Sequence, residues 1–379
     1  MDFQRGDKEP VNEYILRIIK ECREQENLTW KETADIINDE LGLTFAPDKY
    51  RSQFRRSKNA PEYDDYIERA VERTKNRDIL NQANAYLRRI SREDTIVEIA
   101  RDFALEMSSK KLLPIYFADD KESIGDNEAI LCISDWHYGI EIDNYWNKYN
   151  TDIAKDRICK LRDMTIQRCL DNGVGVLHVV NLSDLIAGRI HAQIRYQSRV
   201  DVITQAMEIS EILAEFLTDL SKYFKIEYRD CLDNHSRIEP NKKESMDLES
   251  LVRIITWYLK ERLKSTDIDI HDNEFGEDII SFNVLGHRVC AVHGDKDKPE
   301  TVIKNLTLMT KEHWDLILSA HRHHFSADET NETLVVSNGS LMGTDSYAAS
   351  LRLSSLPTQN LIICTEDNVA ECIYRLIIK

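Results

Sequence analysis

Short apolar runs of strand length recur along the last two thirds of the chain, and several of them end in side chains that bind metals. The first run, Ile130-Leu131-Cys132-Ile133, is followed by Asp135 and His137. The residues that follow four later runs are Asp184, Asn234, His235, His293, His321 and His323. Because open α/β sheets gather distant segments at the carboxyl ends of their strands, we predict that these side chains converge on one site.

The predicted site combines carboxylate, amide and imidazole groups and contains no thiolate. This chemistry suits Mn²⁺, Fe²⁺ or Zn²⁺ in a catalytic site better than it suits a closed structural zinc site. Eight such groups accommodate two cations more naturally than one. We therefore predict two divalent metal ions, with Mn²⁺ as the first expectation and Fe²⁺ or Zn²⁺ as alternatives.

Helical periodicity between the apolar runs predicts an α/β fold. The expected helices span about 152–171, 198–221, 244–264 and 298–311. The later strands are expected closer together, near 278–283, 287–292, 332–337, 359–364 and 371–378. Early crossovers followed by strand-rich sequence predict two packed sheets with helices outside.

The ordered ligand pattern resembles the signature of the calcineurin-like metallophosphoesterase superfamily. That signature reads Asp-x-His, Gly-Asp, Gly-Asn-His, His and Gly-His-x-His, and the resemblance covers residues 129–379. Ser183, Asp233 and Ala320 replace three of its glycines, so these turns must tolerate a Cβ. The resemblance implies an αββα sandwich, joined here to an all-α N-terminal region.

The resemblance also implies a role for each site residue. One cation would be held by Asp135, His137, Asp184 and His323, and the other by Asp184, Asn234, His293 and His321. Asp184 would bridge the two, and His235 would protonate the leaving oxygen or neutralise the transition state. Arg237 and His191 are predicted to contact the substrate phosphate. Ser236 stands where many phosphatases of the superfamily have an acid, which disfavours monoesterase chemistry.

The first 60 residues predict a separate domain of three short helices. A capping-box pattern at Thr29–Glu32 and a stop at Gly42 delimit the second helix. A basic third helix at 49–58 is typical of helix-turn-helix DNA-binding domains. The alternative is a small bundle with a solvated basic face, because residues 1–60 contain about as many acids as bases. The predicted DNA contacts are Arg51, Arg55, Arg56 and Lys58.

Helical periodicity continues over residues 61–118, which predicts a spacer ahead of the catalytic domain at 129–379. The alternative is an oligomerisation element, through which the chain would form a homo-oligomer. The polar, turn-rich stretch 119–128 is predicted to be a linker.

The charge and cysteine content narrow the class of protein. A net charge of −17 disfavours a protein that binds nucleic acid through a basic surface alone. It does not exclude a nuclease, because two bound dications add about four positive charges where the phosphate lies. Scattered cysteines predict reduced thiols, and no apolar run approaches the ~20 residues that span a bilayer. We expect a cytoplasmic protein, in the host cell if phage-encoded, with no membrane partner.

The segment 337–347 resembles part of the phage-encoded DNA-repair exonuclease-like phosphoesterases. Together with the basic helix and Ser236, it favours a metal-dependent nuclease that hydrolyses DNA phosphodiester bonds as an exo- or endonuclease. One alternative is a phosphatase or cyclic-nucleotide phosphodiesterase that acts on a small molecule or phosphoprotein. Another is a non-catalytic DNA-binding protein with a decayed site. DNA is the predicted partner.

Overall fold

The computed structural model describes residues 3–6, 8–58, 70–84, 87, 98, 101, 105, 125–190 and 192–379. The chain divides into two compact units, Met1–Thr95 and Ile96–Lys379. Most of the predicted spacer 61–118 and of the linker 119–128 lies outside the described residues. The domain boundaries at 60 and 118 therefore stay predictions.

The smaller unit is helical. In chain order its described elements are α1 (Val11–Lys20), a π-helical continuation (Glu21–Gln25), α2 (Trp30–Leu41), α3 (Pro47–Lys58) and a helix at 70–84, termed α4. The capping box of α2 is confirmed, because Thr29 Oγ1 accepts from Glu32 N while the Glu32 carboxylate accepts from Thr29 N. The left-handed Gly42 ends this helix, as predicted. Tyr50 of α3 is fully buried against α1 and α2 and belongs to the core of this unit.

The larger unit alternates helices and strands. Its strands are β1 (Asn127–Ile133), β2 (Ile142–Asp143), β3 (Lys148–Tyr149), β4 (Val174–Asn181), β5 (Lys225–Asp230), β6 (Asp269–Ile270), β7 (Ile279–Val284), β8 (His287–Val292), β9 (Leu316–Ser319), β10 (Ser326–Thr330), β11 (Thr333–Ser337), β12 (Thr358–Cys364) and β13 (Cys372–Ile377). Its helices are α5 (Thr151–Asp171), α6 (Ala192–Gln197), α7 (Val202–Ser221), α8 (Leu251–Leu263), α9 (Val302–Thr310) and α10 (Ser346–Ser350). Among the described residues, no helix is both long and apolar enough to cross a membrane.

Two sheets form the centre of this unit. The first has the strand order β13-β12-β1-β4-β5-β6, and the second has the order β10-β11-β9-β8-β7. Strands β1, β4, β5 and β6 run parallel to one another, as do β8, β9 and β11. Their carboxyl ends therefore lie along common sheet edges.

Three apolar layers fix the packing. Side chains alternate along β1, so that Ile130 and Cys132 face the second sheet while Leu131 and Ile133 face α5, α7 and α8. The outer face of the second sheet packs on α9 and Trp314. The result is helices, sheet, sheet and helix, which confirms the predicted αββα sandwich.

The predicted helices of this unit are present, with later starts than expected at three of them. Side-chain caps explain two of these starts, because Asp201 and Ser250 accept hydrogen bonds from the first turns of α7 and α8. Short elements were missed, including the β2–β3 hairpin, β6, β10, α6 and α10. The linker was placed too far along the chain, since Asn127 and Glu128 already belong to β1.

Candidate metal centre

Five strand ends deliver the predicted ligands to one place. Asp135 and His137 follow β1, Asp184 follows β4, and Asn234 with His235 follows β5. In the second sheet, His293 follows β8, and His321 with His323 follows β9. The contacts among these side chains define two clusters that adjoin each other.

The first cluster consists of Asp135, His137 and His323. The Nε2 atoms of His137 and His323 lie 3.1 Å apart. Asp135 Oδ1 lies 3.2 Å from His323 Nε2 and 3.8 Å from His137 Nε2. These three ligand atoms therefore face one common point.

The second cluster consists of Asp184, Asn234, His293 and His321. Nε2 of His293 lies 2.9 Å from Asn234 Oδ1, 3.2 Å from His321 Nδ1 and 3.3 Å from Asp184 Oδ2. The other ring nitrogen, His293 Nδ1, donates to the Leu182 carbonyl at 2.7 Å. Because a carbonyl only accepts, the Nδ1 atom carries the proton of the neutral ring and the Nε2 lone pair faces the cluster. Hydrogen bonds of this kind orient histidines that bind metals.

Two buried carboxylate oxygens show that these clusters fit cations. Asp135 Oδ1 and Asp184 Oδ2 accept no well-aligned hydrogen bond from a described residue, although imidazole nitrogens lie 3.2 and 3.3 Å away. An unpaired buried carboxylate oxygen is costly. Ligand bonds of about 2.0–2.2 Å place neighbouring ligand atoms about 3.0–3.5 Å apart. The distances from His293 Nε2 in the second cluster, 2.9–3.3 Å, and the two shorter distances in the first cluster, 3.1 and 3.2 Å, are close to this spacing.

The pKa shifts of the cluster residues also indicate sites that attract positive charge. Burial disfavours the ionised form of Asp184, but the His235 and His293 rings hold the pKa of its carboxyl well below its usual range. Against the effect of burial, Asp184 raises the pKa of His293 to about 10. Asp135 likewise raises the pKa of His323, against the effect of burial. Each carboxylate thus attracts positive charge to its cluster, and protons compete with cations there.

Main-chain strain accompanies the ligands. Five of them have left-handed φ angles: Asp135 (52°), His137 (45°), Asp184 (52°), His321 (68°) and His323 (59°). Such conformations cost about 1–3 kcal/mol each for residues other than glycine, and they concentrate at functional sites. The turns after the strands are held in this form by the fold, which aims the side chains before any ligand binds.

His235 lies at the edge of both clusters. Its Nδ1 donates to the Ala187 carbonyl at 2.8 Å, and its Nε2 lies 3.9 Å from Asp184 Oδ2. The backbone of Gly188, whose φ is +70°, lies close to the backbone of His235. A Cβ at this position would lie 2.0 Å from the His235 carbonyl oxygen. With His137 and Asp184, His235 also forms a group close enough to share a cation.

Asp233 is a residue whose contribution the sequence did not reveal. Its carboxylate accepts from Asp184 N at 2.8 Å, from Ser236 N at 2.7 Å and from Ser236 Oγ at 2.9 Å. Asp233 therefore connects the loop that carries Asn234 to Asp184. Ser236, which stands where an acid could pair with the histidine, is neutral and donates its hydroxyl to the Asp233 carboxylate.

Of the two residues predicted to contact the substrate phosphate, Arg237 is described by the structure and His191 is not. The guanidinium of Arg237 donates to the carbonyls of Glu239 at 3.1 Å and Pro240 at 2.9 Å. Arg189 has a buried Nε without a hydrogen-bond partner among the described residues, so it retains an unused donor. A cavity of about 260 Å³ beside Asn234 and His293 is lined in part by Arg237, Lys242 and Lys296.

The predicted DNA contacts all lie on α3 of the smaller unit. Arg51, Arg55, Arg56 and Lys58 are exposed. Lys58 pairs with Glu24 at 3.2 Å, whereas the other three make no ion pair with another described residue. His178 of β4 is buried and hydrogen-bonded to Glu128 at 2.7 Å.

Comparison with known proteins relates the chain to a prophage protein. Residues 1–68 match the family described as the YonJ N-terminal domain. The chain is 25% identical over 388 residues to the SPbeta prophage-derived uncharacterized protein YonJ of Bacillus subtilis (strain 168). This similarity covers 95% of the chain and 94% of that protein, so it includes both units.

Solved structures similar to the chain cover the larger part of it. One is a novel archaeal phosphodiesterase, at 14% identity and a TM-score of 0.33, with 66% of this chain and 99% of that one covered. Another is Vps29 complexed with Zn²⁺ from Entamoeba histolytica, at 8% identity and a TM-score of 0.31, with the same coverage. Both scores lie below 0.5, and the ligand geometry of this chain is therefore what supports a function.

Proposed function

We propose that the chain is a metal-dependent phosphodiesterase that hydrolyses DNA. The observation that carries the proposal is the pair of clusters around Asp135 Oδ1 and Asp184 Oδ2, two buried oxygens that accept no well-aligned hydrogen bond from a described residue. Imidazole nitrogens lie 3.2–3.9 Å from these two oxygens. Asp135, His137 and His323 would hold one cation, Asn234, His293 and His321 the other, and Asp184 would serve both.

The protein groups around the clusters have separate tasks. When bound, two divalent cations neutralise the charge of a phosphodiester and activate water for attack. His235 presents Nε2 to the same space, because its Nδ1 proton is held by the Ala187 carbonyl. In its protonated form this ring can pass a proton to the leaving oxygen. The donors of Arg237 are engaged by carbonyls of its own loop, so a contact from Arg237 to a phosphate would have to break these bonds.

Two observations support DNA as the substrate. The exposed cations of α3 lie on the third helix of a small helical unit, the position that contacts DNA in helix-turn-helix domains. The chain also lacks a carboxylate after His235, where Ser236 donates to Asp233 instead. A proton-transfer pair of the kind that assists phosphomonoester cleavage is therefore absent from this position.

A small cyclic or linear nucleotide is the second candidate substrate. It is favoured by the cavity of about 260 Å³ beside Asn234 and His293, which Lys242 and Lys296 line in part. Both lysines are paired with acids, Lys242 with Asp295 and Lys296 with Asp247 and Asp278. A phosphate would have to displace these partners, so we place DNA first.

One assay distinguishes these substrates. Purified protein with Mn²⁺ is incubated with single-stranded DNA, duplex DNA, a cyclic nucleotide, bis(p-nitrophenyl) phosphate and p-nitrophenyl phosphate. We expect hydrolysis of DNA and of the small diester, and little hydrolysis of the monoester. Preferred hydrolysis of the cyclic nucleotide would replace the DNA proposal, and inactivity on every substrate would overturn the phosphodiesterase itself.

A further inference from the structure

Four exposed aromatic side chains, which we term the aromatic rim, lie on three loop segments of the larger unit. Tyr145 and Trp146 occupy the turn between β2 and β3 and are 91% and 63% exposed. Tyr196 of α6 is 90% exposed, and Tyr347 of α10 is 67% exposed. Among the described residues of this unit, the other aromatic side chains with comparable exposure are Tyr223 and Trp257. The exposed aromatic residues are thus concentrated on these segments.

Hydrogen bonds join the three segments into one surface. Asn147 Nδ2 donates to the carbonyls of Met342 at 2.8 Å and Thr344 at 3.1 Å. Gln197 Nε2 donates to Ser346 Oγ at 3.4 Å, and the Gln197 carbonyl accepts from Glu141 N at 2.9 Å. The rim is therefore a single feature that spans the β2–β3 turn, α6 and α10.

This surface continues from the metal centre. Ser340 Oγ donates to the Asp135 carbonyl at 2.9 Å, and Met342 N donates to the same carbonyl at 3.3 Å. The segment that leads to Tyr347 thus packs on the first cluster. The rim is therefore joined by hydrogen bonds to the loop that carries Asp135 and His137.

The acids of the rim are engaged by other groups. Asp143 pairs with Lys148 at 3.5 Å, and Glu141 pairs with Arg199. The Asp345 carboxylate accepts from Ala348 N at 2.6 Å and so caps α10. Glu141 and Asp143 are thus neutralised by neighbouring cations, and the Asp345 carboxylate is directed to the first turn of α10.

We propose that the aromatic rim stacks the unpaired bases of a single-stranded nucleic acid. This inference rests on the proposed phosphodiesterase function and names its substrate class. Every base has a flat π face, so aromatic side chains bind single strands with little sequence preference. Bases within a duplex already stack on one another and offer no free face. The rim therefore selects single strands or unpaired ends.

The test compares single substitutions in the full chain with Mn²⁺. Tyr145→Ala and Trp146→Ala are measured beside Tyr223→Ala and Trp257→Ala, which remove exposed aromatic rings away from the rim. The substrates are a single-stranded oligonucleotide, the same strand with abasic positions, and its duplex. Melting temperatures confirm that each variant is folded.

We expect each rim substitution to lower kcat/KM on the single strand by roughly 5- to 100-fold, as expected for the loss of one stacked base. The wild-type protein should prefer the normal strand over the abasic strand, and the rim variants should lose that preference. The two control variants should keep it.

The outcomes separate this inference from the proposed function. If the wild-type protein cleaves the single strand but the rim variants match the controls, the rim inference is overturned and the nuclease stands. An equal loss on duplex and single strand also overturns stacking of unpaired bases. If the wild-type protein hydrolyses bis(p-nitrophenyl) phosphate but no oligonucleotide, both the rim and the DNA substrate fail.

Discussion

At the scale of single residues, Asp184 is the side chain that lies between the two clusters. Its Oδ2 lies 3.3 Å from His293 Nε2 and 3.9 Å from His137 Nε2, so it faces both. Asp184→Asn removes the shared negative charge and should cost at least one of the two metals and nearly all turnover. Elemental analysis beside the rate on bis(p-nitrophenyl) phosphate measures both effects. Asp328→Asn, an exposed acid on β10, is the matched control. Two retained metals with full activity would contradict the assignment.

A substitution of His235 distinguishes a role in proton transfer from a role in metal binding. Because its Nε2 faces Asp184 at 3.9 Å, His235→Ala should keep both metals while the rate falls by roughly 10²- to 10⁴-fold, as for a lost general acid. The exposed His324 provides the control, His324→Ala. Loss of a metal from the His235 variant would instead make this residue a ligand, which its position near His137 permits.

Asp230 should make stability depend on pH. Burial raises the pKa of its carboxyl to about 6, while Thr256 Oγ1 and Tyr228 OH donate to Oδ2. The folded state therefore binds a proton more tightly than the unfolded state, and stability falls as pH rises from about 4 to about 6. Asp230→Asn should remove this loss and stabilise the protein at pH 8.

The gain from Asp230→Asn should be below the roughly 3 kcal/mol that two pKa units correspond to, because the side chain is partly exposed. Urea unfolding of both proteins at pH 4 and pH 8 measures it. A wild-type advantage that grows with pH would show that Asp230 is ionised favourably in the folded state.

The residues that form the two clusters could be found from the sequence, whereas the side chains that support them could not. Asp135, His137 and the later cluster residues could be found because each lies within four residues after the end of a strand. The contacts of Asp233 depend on how the 232–236 loop turns toward β4, which no local pattern encodes. Arg237 was singled out by its place after His235, yet backbone carbonyls two and three residues away occupy its donors.

At the scale of elements, α3 is the candidate DNA-binding helix. Replacing Arg51, Arg55, Arg56 and Lys58 with Ala should weaken DNA binding and flatten its salt dependence, since each lost phosphate contact removes about one released counterion. Replacing the exposed cations Arg5, Lys8, Lys20 and Lys31 gives a control with the same change in charge. Binding isotherms at several salt concentrations measure both. Equal salt slopes in the two variants would remove α3 as a specific contact.

The elements that the sequence missed are short and depend on distant partners. The strands of the β2–β3 hairpin have two residues each, and α6 and α10 have six and five. Isolated helices of that length are unstable, and so are isolated two-stranded hairpins. Hydrogen bonds such as Asn147 to Met342 hold them, and these link residues that are 195 positions apart. The aromatic rim lies on these same elements and was therefore not foreseen.

At the scale of the whole molecule, the sandwich explains why the ligands meet. The apolar layer between the sheets aligns the carboxyl ends of β1, β4 and β5 with those of β8 and β9. Strand periodicity could predict each sheet's inner face, since alternation along β1 divides its residues between two layers.

The most direct test of the two-metal account is a titration of metal-free protein with Mn²⁺. Calorimetry counts the bound ions while hydrolysis of bis(p-nitrophenyl) phosphate is followed in parallel samples. We expect two ions per chain, no hydrolysis before metal is added and the full rate only when both ions are bound. Hydrolysis by the metal-free protein, or saturation with Mn²⁺ without any hydrolysis, would contradict it.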